Sequence, residues 1–169
     1  LSYWYAWQVS ILGLGPVWMS RNEEVKKKTA RHLQYGRIFG FGLSEREHGA
    51  DIYSTDMLLK PQTDGTYLAE GGKYYIGNAN QAVVVSTFGK IAGTGEYVFF
   101  PVDSHHEKFE LVRNVVASQM YVAQYNLHDY PIRESEILER GQEAWDASLN
   151  TVNVGKFNLG FCSIGMAEH

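Results

Sequence analysis

The chain has 169 residues, of which 44% are hydrophobic and 14% aromatic, and its formal net charge is −4. A chain of this length and composition can bury one domain with short appendages, which excludes intrinsic disorder. Its one basic block, residues 26–28, would attract a phosphate backbone only weakly, so nucleic-acid binding is not expected. The single cysteine, Cys162, excludes an internal disulfide and is predicted to be a small buried residue in a reducing compartment.

The N-terminal region and the two chain ends are informative. An apolar stretch at residues 9–19 is interrupted by Gly13, Gly15 and Pro16, so no segment is predicted to span a bilayer. The sequence opens without a methionine and closes at His169 with no stop signal for its last element. We therefore expect a fragment of a longer protein, with a processed signal sequence as the alternative.

The first clear element is a surface helix. Asn22 is a typical N-cap residue, and Glu23 and Glu24 place negative charge in the first turn, where the helix dipole favours it. Gly36 supplies a stop signal. The pattern predicts a helix between these boundaries.

The sequence then changes, from residue 37, to short runs rich in Val, Tyr, Phe and Ile. Turn residues separate these runs at short intervals, at 63–65, 71–72, 77–78 and 92–95. Such spacing favours a mainly antiparallel β-barrel or sandwich over a βαβ sheet. The predicted strands are residues 38–43, 53–60, 66–70, 73–76, 82–88, 97–102, 109–116 and 125–132.

Apolar residues return to helical spacing after Gly141. Three glycines lie inside this second helical pattern, at Gly155, Gly160 and Gly165, and each costs about 1 kcal/mol relative to alanine. We expect a helix that keeps them to pack them closely against neighbouring helices, which are missing from this sequence. The whole pattern predicts an α+β fold, with helices at both ends of a β region.

Residues 40–51 carry the pattern most typical of a ligand site. A strand ends in Ser44 and Glu45 and then turns through Gly49, which presents backbone N–H groups and a hydroxyl at the rim of a sheet. A polar, planar or phosphorylated ligand suits such a rim. An ordinary polar surface turn has the same pattern, so the alternative stays open at this point.

Five landmarks, in order and with compatible spacing, resemble the acyl-CoA dehydrogenase family. The run SEREHGAD at residues 44–51 is similar to the family's Thr-Glu-Pro stretch followed by Gly-Ser-Asp. The run GGKYYIGN at residues 71–78 is similar to its hairpin Gly-x-Lys-x-Trp-Ile-Thr-Asn. The other three landmarks are residues 97–103, residues 129–132 with 137–139, and residues 152–156 with Gly165.

The resemblance covers nearly the whole chain and implies three parts. Residues 1–36 would be the end of an N-terminal helical domain, since the helix after Asn22 also resembles that region. Residues 37–140 would be the middle β-domain. Residues 141–169 would be the truncated first helix of a C-terminal helical domain.

The resemblance also implies an FAD site. Leu43 and Ser44 occupy the positions whose backbone and hydroxyl groups bond the pyrimidine edge of the flavin, with Phe41 just before them. Gly49 and Ala50 occupy the positions that approach the cofactor's phosphates, and Ala50 also stands where the family meets its thioester ligand.

Two further cofactor positions lie in the second landmark. Tyr75 stands where the family has the Trp that covers the flavin, and Gly77 stands where it has a Thr or Ser that bonds near the reactive ring nitrogen. The chain departs from the family at Arg46 for Pro, Ala50 for Ser and Gly77 for Thr, which removes a turn constraint and two hydroxyl donors. Gly77 can also be interpreted as a simple hairpin-turn residue.

The implied reaction is the α,β-dehydrogenation of an acyl-CoA thioester, with a carboxylate as base and the flavin as hydride acceptor. The family's base comes from beyond the end of this chain, so no catalytic residue is predicted here. Glu45 and Glu47 are predicted to be exposed, as are the acidic residues Glu134, Glu136, Glu139 and Glu143.

The implied partners are an acyl-CoA substrate, an electron-transfer acceptor and further copies of the protein in a homodimer or homotetramer. The implied location is the cytoplasm, or the mitochondrial matrix in a eukaryote. Two alternatives stay open: a flavin-free relative that acts as a binding or assembly module, and an acyl-CoA oxidase-like enzyme.

No metal site is predicted. His105 and His106 have ligand-type neighbours in Asp103 and Glu107, but adjacent side chains on an extended chain point to opposite faces. Hydrolase chemistry has no support either, because the serines lack a nucleophile-elbow context.

Overall fold

Helices at both ends of the chain flank a central run of strands. Within residues 2–116 and 121–168, which the computed structural model describes, there are three α-helices and eight β-strands. The predicted α+β class is confirmed. The helices are α1 (Ser2–Met19), α2 (Glu23–Gln34) and α3 (Gly141–Ala167). The strands are β1 (Phe39–Gly42), β2 (Leu58–Pro61), β3 (Thr66–Gly77), β4 (Val84–Ile91), β5 (Tyr97–Asp103), β6 (Phe109–Asn114), β7 (Val122–Arg133) and β8 (Glu139–Arg140).

The strands form one sheet of mostly antiparallel neighbours. Its order is β6-β7-β3-β2-β4-β5-β8, and β1 also pairs with β4. The β1–β4 and β2–β4 pairs are parallel, and the other five pairs are antiparallel. β1, which leads into the first motif, also approaches the end of β3, which carries the second, since the Asn78 amide donates to the Phe39 carbonyl (2.9 Å).

The predicted N-cap of α2 is confirmed. The Val25 N–H donates a hydrogen bond to Asn22 Oδ1 (3.1 Å). The Asn22 amide also donates to the carbonyl oxygens of Ser135 (2.8 Å) and Ile137 (3.1 Å). The cap therefore also fastens α2 to the turn that precedes β8.

The predicted turn at residues 71–72 is wrong, because β3 runs through it as one strand of 12 residues. Its pairing with β7 shifts register between Ala69 and Gly71, which marks a β-bulge. Gly71 has a φ of 142°, and a Cβ atom placed on it would lie 2.9 Å from the Cα of Met57. Glycine is needed here for a close approach within the sheet rather than for a hairpin.

The strand predicted over residues 53–60 forms only in its second half. Ile52–Ser54 is a 3-10 helix, and β2 starts later. The backbone N–H groups of Asp56 and Met57 donate to the side chain of Glu45 instead of to a neighbouring strand. A side-chain acceptor thus replaces the sheet ladder at this point.

The glycine-interrupted stretch near the N-terminus belongs to α1 and packs directly on the sheet. A Cβ atom on Gly13 would lie 2.6 Å from the Gly40 carbonyl oxygen in β1. The Ser86 hydroxyl donates to the Gly13 carbonyl (2.6 Å) from β4. The absence of a side chain at Gly13 therefore sets how closely helix and sheet approach.

The α3 glycines were predicted to pack against helices that this sequence lacks, but Gly155 packs closely against α1 of the same chain. A Cβ atom on Gly155 would lie 3.0 Å from Leu12 of α1, whereas Gly160 and Gly165 have no atom within 4 Å. Cys162, predicted to be buried, is partly exposed. Both corrections have one cause, since the second half of α3 extends beyond the described part of the sheet and of α1.

None of the helices within the described residues is both long and apolar enough to cross a membrane.

Candidate functional site

The rim where β1 ends is fastened to β3. The Ser44 hydroxyl donates a hydrogen bond to the Tyr74 carbonyl (2.9 Å), and the Tyr74 N–H donates to the Ser44 carbonyl (3.0 Å). The first and second motifs are therefore held side by side. Because the hydroxyl hydrogen of Ser44 is engaged, its oxygen is left as an acceptor toward any ligand.

A buried ion pair lies directly beneath this rim. The Lys73 side chain is 0% exposed and that of Glu45 is 5% exposed, and Lys73 Nζ lies 2.7 Å from Glu45 Oε1. The ammonium group also donates to the carbonyl oxygen of Leu43 (3.0 Å). The prediction that Glu45 is a surface carboxylate is thus wrong, because Lys73 from β3 provides the partner that lets it be buried.

Glu45 also closes the loop that follows it. Its carboxylate accepts hydrogen bonds from the Asp56 N–H (2.7 Å), the Met57 N–H (3.2 Å) and the Thr55 hydroxyl. Residues 46–54, which we call the clamped loop, are therefore held at both ends by one side chain. This loop carries the predicted phosphate-side residues.

Burial and charge act in opposite directions on the two ionised groups. Burial lowers the pKa of Lys73 to about 8, although Glu45 favours its charged form. Burial would raise the pKa of Glu45. The charge and hydrogen bond of Lys73, together with hydrogen bonds from the Thr55 hydroxyl and the Asp56 N–H, nevertheless hold that pKa below its ordinary value. Glu45 is therefore ionised at neutral pH, and the Lys73 ammonium group balances its charge. A carboxylate paired in this way is unsuited to take a proton from a substrate.

The tip of the clamped loop is open to solvent. Arg46, Glu47, Gly49 and Ala50 are all exposed, and a Cβ atom on Gly49 would meet nothing within 4 Å. The exposure predicted for Glu47 is thus confirmed. The two predicted phosphate-side residues lie on this accessible tip, away from the buried pair.

His48 links this loop to its far end. Its Nε2 lies 3.2 Å from Asp56 Oδ2, and ligand atoms of Glu45, His48 and Asp56 lie within 4.8 Å of one another. The Glu45 carboxylate, however, already receives bonds from Lys73 and two backbone N–H groups. This grouping serves the clamp rather than a metal ion.

The aromatic position of the second motif lies at a strained bulge. Register between β3 and β7 shifts between Lys73 and Ile76, and Tyr75 has a φ of 63° while its side chain is 55% exposed. A positive φ at a bulky residue costs on the order of 1–3 kcal/mol and is found mostly at functional sites. Tyr75 therefore offers an accessible ring surface on a backbone held in place by its neighbours.

Asn78 helps to hold this backbone. It is buried, it has a φ of 62°, and its amide donates to the carbonyl oxygens of Ala6 (2.9 Å) and Phe39 (2.9 Å). The turn predicted at residues 77–78 is confirmed, but its asparagine also joins α1, β1 and β3. Asn78 is therefore more than a turn residue.

Gly77 faces α1. A Cβ atom on Gly77 would lie 2.9 Å from the Tyr5 hydroxyl oxygen and 2.9 Å from two methyl carbons of Val9. Gly77 is absent from the residues with a positive φ. Crowding by the helix, rather than turn geometry, is what requires glycine here.

Phe41 lies at the inner side of the rim, in a row of aromatic rings. It stacks on Phe99 with ring centroids 5.9 Å apart, and Phe99 in turn contacts Phe88 (5.2 Å). The row continues through Tyr97 to Trp145 at the start of α3. Phe41 and Leu43 are half-buried against this cluster, which joins β1, β4, β5 and α3.

The structure places the remaining candidates at the surface. His106 packs against Tyr130 (4.7 Å), while His105 lies near Asp103 in the turn after β5. Among the acidic residues predicted to be exposed, Glu134 and Glu143 are exposed, whereas Glu136 and Glu139 are half-buried. Glu134 binds Arg140, so this carboxylate has a cationic partner.

Comparison with known proteins gives one consistent result. No family model matches the chain. An acyl-CoA dehydrogenase of Bacillus subtilis is 25% identical over 166 residues, covering 93% of this chain and 43% of the relative. The chain therefore spans less than half the length of the curated relative it matches.

Solved structures share the fold. An acyl-CoA dehydrogenase of Bacillus anthracis complexed with FAD has a TM-score of 0.80 at 24% identity, covering 88% of this chain and 26% of that one. A butyryl-CoA dehydrogenase of Megasphaera elsdenii has a TM-score of 0.84 at 19% identity, covering 96% and 45%. The resemblance to the acyl-CoA dehydrogenase family is thereby confirmed, since the chain is similar in sequence to the Bacillus subtilis enzyme and shares the fold of the two solved structures.

Proposed function

We propose that the chain is part of an FAD-dependent acyl-CoA dehydrogenase, an oxidoreductase that acts on the α,β-bond of an acyl-CoA thioester. The observation that carries this proposal is the fastening of the two motifs to each other, through Ser44 and Tyr74 above and Glu45 and Lys73 below. The order of the landmarks and the shared fold support it. The partial coverage of the relatives supports the view that a longer chain is needed.

The residues at the rim suit a flavin. Tyr75 presents an exposed ring for stacking, and the Ser44 oxygen is available to accept from an N–H group on a ligand. Leu43 is held through its carbonyl by Lys73, so the rim backbone is rigid before any ligand binds. Gly49 and Ala50 leave the clamped-loop tip open to the polar end of the cofactor.

This arrangement separates the chemistry that FAD would supply from the positioning that the protein residues would provide. FAD, when bound, supplies the hydride acceptor. The rim and Tyr75 would orient the cofactor, which is the share of the work that proteins contribute in flavoenzymes. Glu45 is paired with Lys73 and is therefore not a candidate for the base that removes the substrate proton. The family resemblance implies that this base lies beyond the residues of this chain.

The partners follow from the same proposal. The substrate would be an acyl-CoA thioester that approaches Ala50, and the reduced cofactor would pass its electrons to an electron-transfer acceptor. Further copies of the protein would complete a homodimer or homotetramer.

FAD titration tests the proposal. We expect weak but saturable FAD binding to this chain, measured by flavin fluorescence, because part of the cofactor site would lie in missing segments. Tyr75→Ala should weaken binding about 2- to 10-fold through lost stacking. Tyr35→Ala is a matched control, since Tyr35 is also exposed but lies at the end of α2, outside both motifs.

The FAD titration has three outcomes that lead to different conclusions. An absence of FAD binding at millimolar concentration, on a folded chain, would overturn the flavin proposal. Equal losses in both tyrosine variants would show that binding does not use Tyr75. Tight stoichiometric binding would instead contradict the expectation that other segments complete the site.

A flavin-free relative that serves binding or assembly is the second candidate. Ala50 and Gly77 lack the hydroxyls found at these positions in the family, and the hydroxyl hydrogen of Ser44 is engaged by Tyr74. These three features would be expected if flavin contacts had been lost. The same titration decides between the candidates.

A further inference from the structure

Tyr5 of α1 fills the space that a side chain at position 77 would occupy. Its hydroxyl oxygen lies 2.9 Å from the place where a Cβ atom on Gly77 would stand. Glycine and tyrosine are therefore complementary in size across the contact between α1 and β3. A larger residue at 77 and a tyrosine at 5 exclude each other.

The Tyr5 phenol is half-buried, and within the described residues no protein group forms a hydrogen bond with its hydroxyl. A phenol in this position gains from a partner, since partly buried polar groups are costly when unpaired. Tyr75 lies close enough to influence it electrostatically, and the Tyr75 ring is exposed. Tyr5 thus lies near both Gly77 and the strained aromatic residue.

We propose that Tyr5 is a ligand-site residue, whose hydroxyl donates a hydrogen bond to the flavin ring bordered by Tyr75 and Gly77. This inference rests on the proposed function and extends it, because it assigns the missing hydroxyl of the second motif to α1. The donor comes from a helix that precedes both motifs by more than thirty residues of sequence.

The protonation state of Tyr5 agrees with a donor role. Burial, with a smaller influence of Tyr75, raises the pKa of the Tyr5 phenol above its ordinary value. The hydroxyl therefore keeps its proton throughout the neutral range. A ring nitrogen or carbonyl oxygen of a ligand could accept from it.

The first test removes only the oxygen atom. Tyr5→Phe should weaken FAD binding about 5-fold, the loss of one neutral hydrogen bond, and should shift the visible absorption spectrum of the bound flavin. Tyr35→Phe is the matched control, because it removes an exposed phenol oxygen at the end of α2, outside both motifs, and should leave affinity and spectrum unchanged. Thermal unfolding of the FAD-free proteins checks that both variants fold.

The second test needs no cofactor. Gly77→Ala should lower the melting temperature of the wild-type chain more than that of a Tyr5→Ala chain, because removal of the phenol makes room. Val9 crowds position 77 equally in both backgrounds, so the difference isolates Tyr5. Equal losses in the two backgrounds would overturn the size complementarity.

The outcomes distinguish this inference from the proposed function. If the wild-type chain binds FAD and Tyr5→Phe matches it in affinity and spectrum, the role of Tyr5 is refuted while the flavin proposal stands. If the wild-type chain binds no FAD, both fall. Selective weakening by Tyr5→Phe, with a spectral shift that Tyr35→Phe lacks, supports both.

Discussion

The base and the tip of the clamped loop differ in almost every physical respect. At the base, Glu45 and Lys73 are buried, and each hydrogen bond of the carboxylate ends on a fixed group. At the tip, Gly49 and Ala50 are exposed, with open space around Gly49. The same short segment is thus rigid where it meets the sheet and accessible where a ligand would approach.

This difference shows how a binding rim can be prepared in advance. Ordering a loop during binding reduces affinity, so a rim that is fixed beforehand binds better. The Lys73 ammonium fixes the Leu43 carbonyl and the Thr55 hydroxyl directly, and the Asp56 N–H through Glu45. The tip needs no such constraint if it only closes over the polar end of a cofactor.

The largest expected effect on the base of the clamped loop is that of Lys73→Met. Methionine keeps much of the apolar stem volume but leaves Glu45 buried without a cation, and the loss of one partner from a buried pair costs about 3–5 kcal/mol. We expect the free energy of unfolding, measured by urea denaturation, to fall by that amount. FAD affinity should fall as well, because the rim loses its support.

Lys60→Met is the control for this prediction. Lys60 bonds Glu70 and lies near Asp129, but all three side chains are largely exposed. Its substitution should leave the unfolding midpoint nearly unchanged, as for most surface ion pairs. Similar losses in the two lysine variants would show that burial does not distinguish these ion pairs.

A second prediction concerns acid. The pKa of Glu45 is lowered in the folded protein, so its contribution to stability is present above the unfolded value of about 4.5 and is lost as pH falls through the folded value. In Lys73→Met the buried carboxyl has lost its cation, so protonation relieves the folded state. The stability gap between wild type and Lys73→Met should therefore narrow by more than about 1.4 kcal/mol between pH 7 and pH 4.

Urea denaturation at several pH values measures this gap. Lys60→Met again serves as the reference, since its difference from wild type should be small at both pH values. A gap for Lys73→Met that stays constant or widens in acid would contradict the assignment of Glu45 as the unpaired charge.

The sequence predicts those features that depend on local chemistry. Strand periodicity and turn residues locate most of the strands, and Asn22 locates the start of α2. The order of the motifs predicts the family and which parts of the chain adjoin. These features can be predicted because each depends on residues within a few positions of one another.

The buried pair could not be predicted in the same way. Glu45 and Lys73 are 28 residues apart, and the acidic residue alone looks like an ordinary surface carboxylate. Lys73 has the same strand parity as the buried residue Ala69, but the turn predicted at residues 71–72 concealed this relation, which depends on β3 being continuous. An inward-facing lysine requires an anionic partner, and Glu45 in the first motif was available.

The roles of Tyr5 and Gly71 could not be predicted from local sequence patterns, for a different reason. The role of each is defined by a close approach between distant segments, which no pattern in either segment records. Gly71 follows the turn chemistry of a hairpin yet lies in a bulge against Met57. Distinguishing the two requires knowledge of which strand passes beside it.

The smallest expected effect on stability is that of a substitution at the tip of the clamped loop, where the chain is less constrained than at the base. Ala50→Ser should change the free energy of unfolding by no more than about 0.5 kcal/mol, because the residue is exposed. If the tip meets the cofactor, the new hydroxyl should tighten FAD binding about 2- to 5-fold, the equivalent of a modest hydrogen bond. Thr63→Ser, on an exposed turn away from the rim, is the control and should affect neither quantity. Unchanged FAD affinity in Ala50→Ser would mean that the tip lies outside the cofactor site, whereas a marked loss of stability would show that the tip is as constrained as the base.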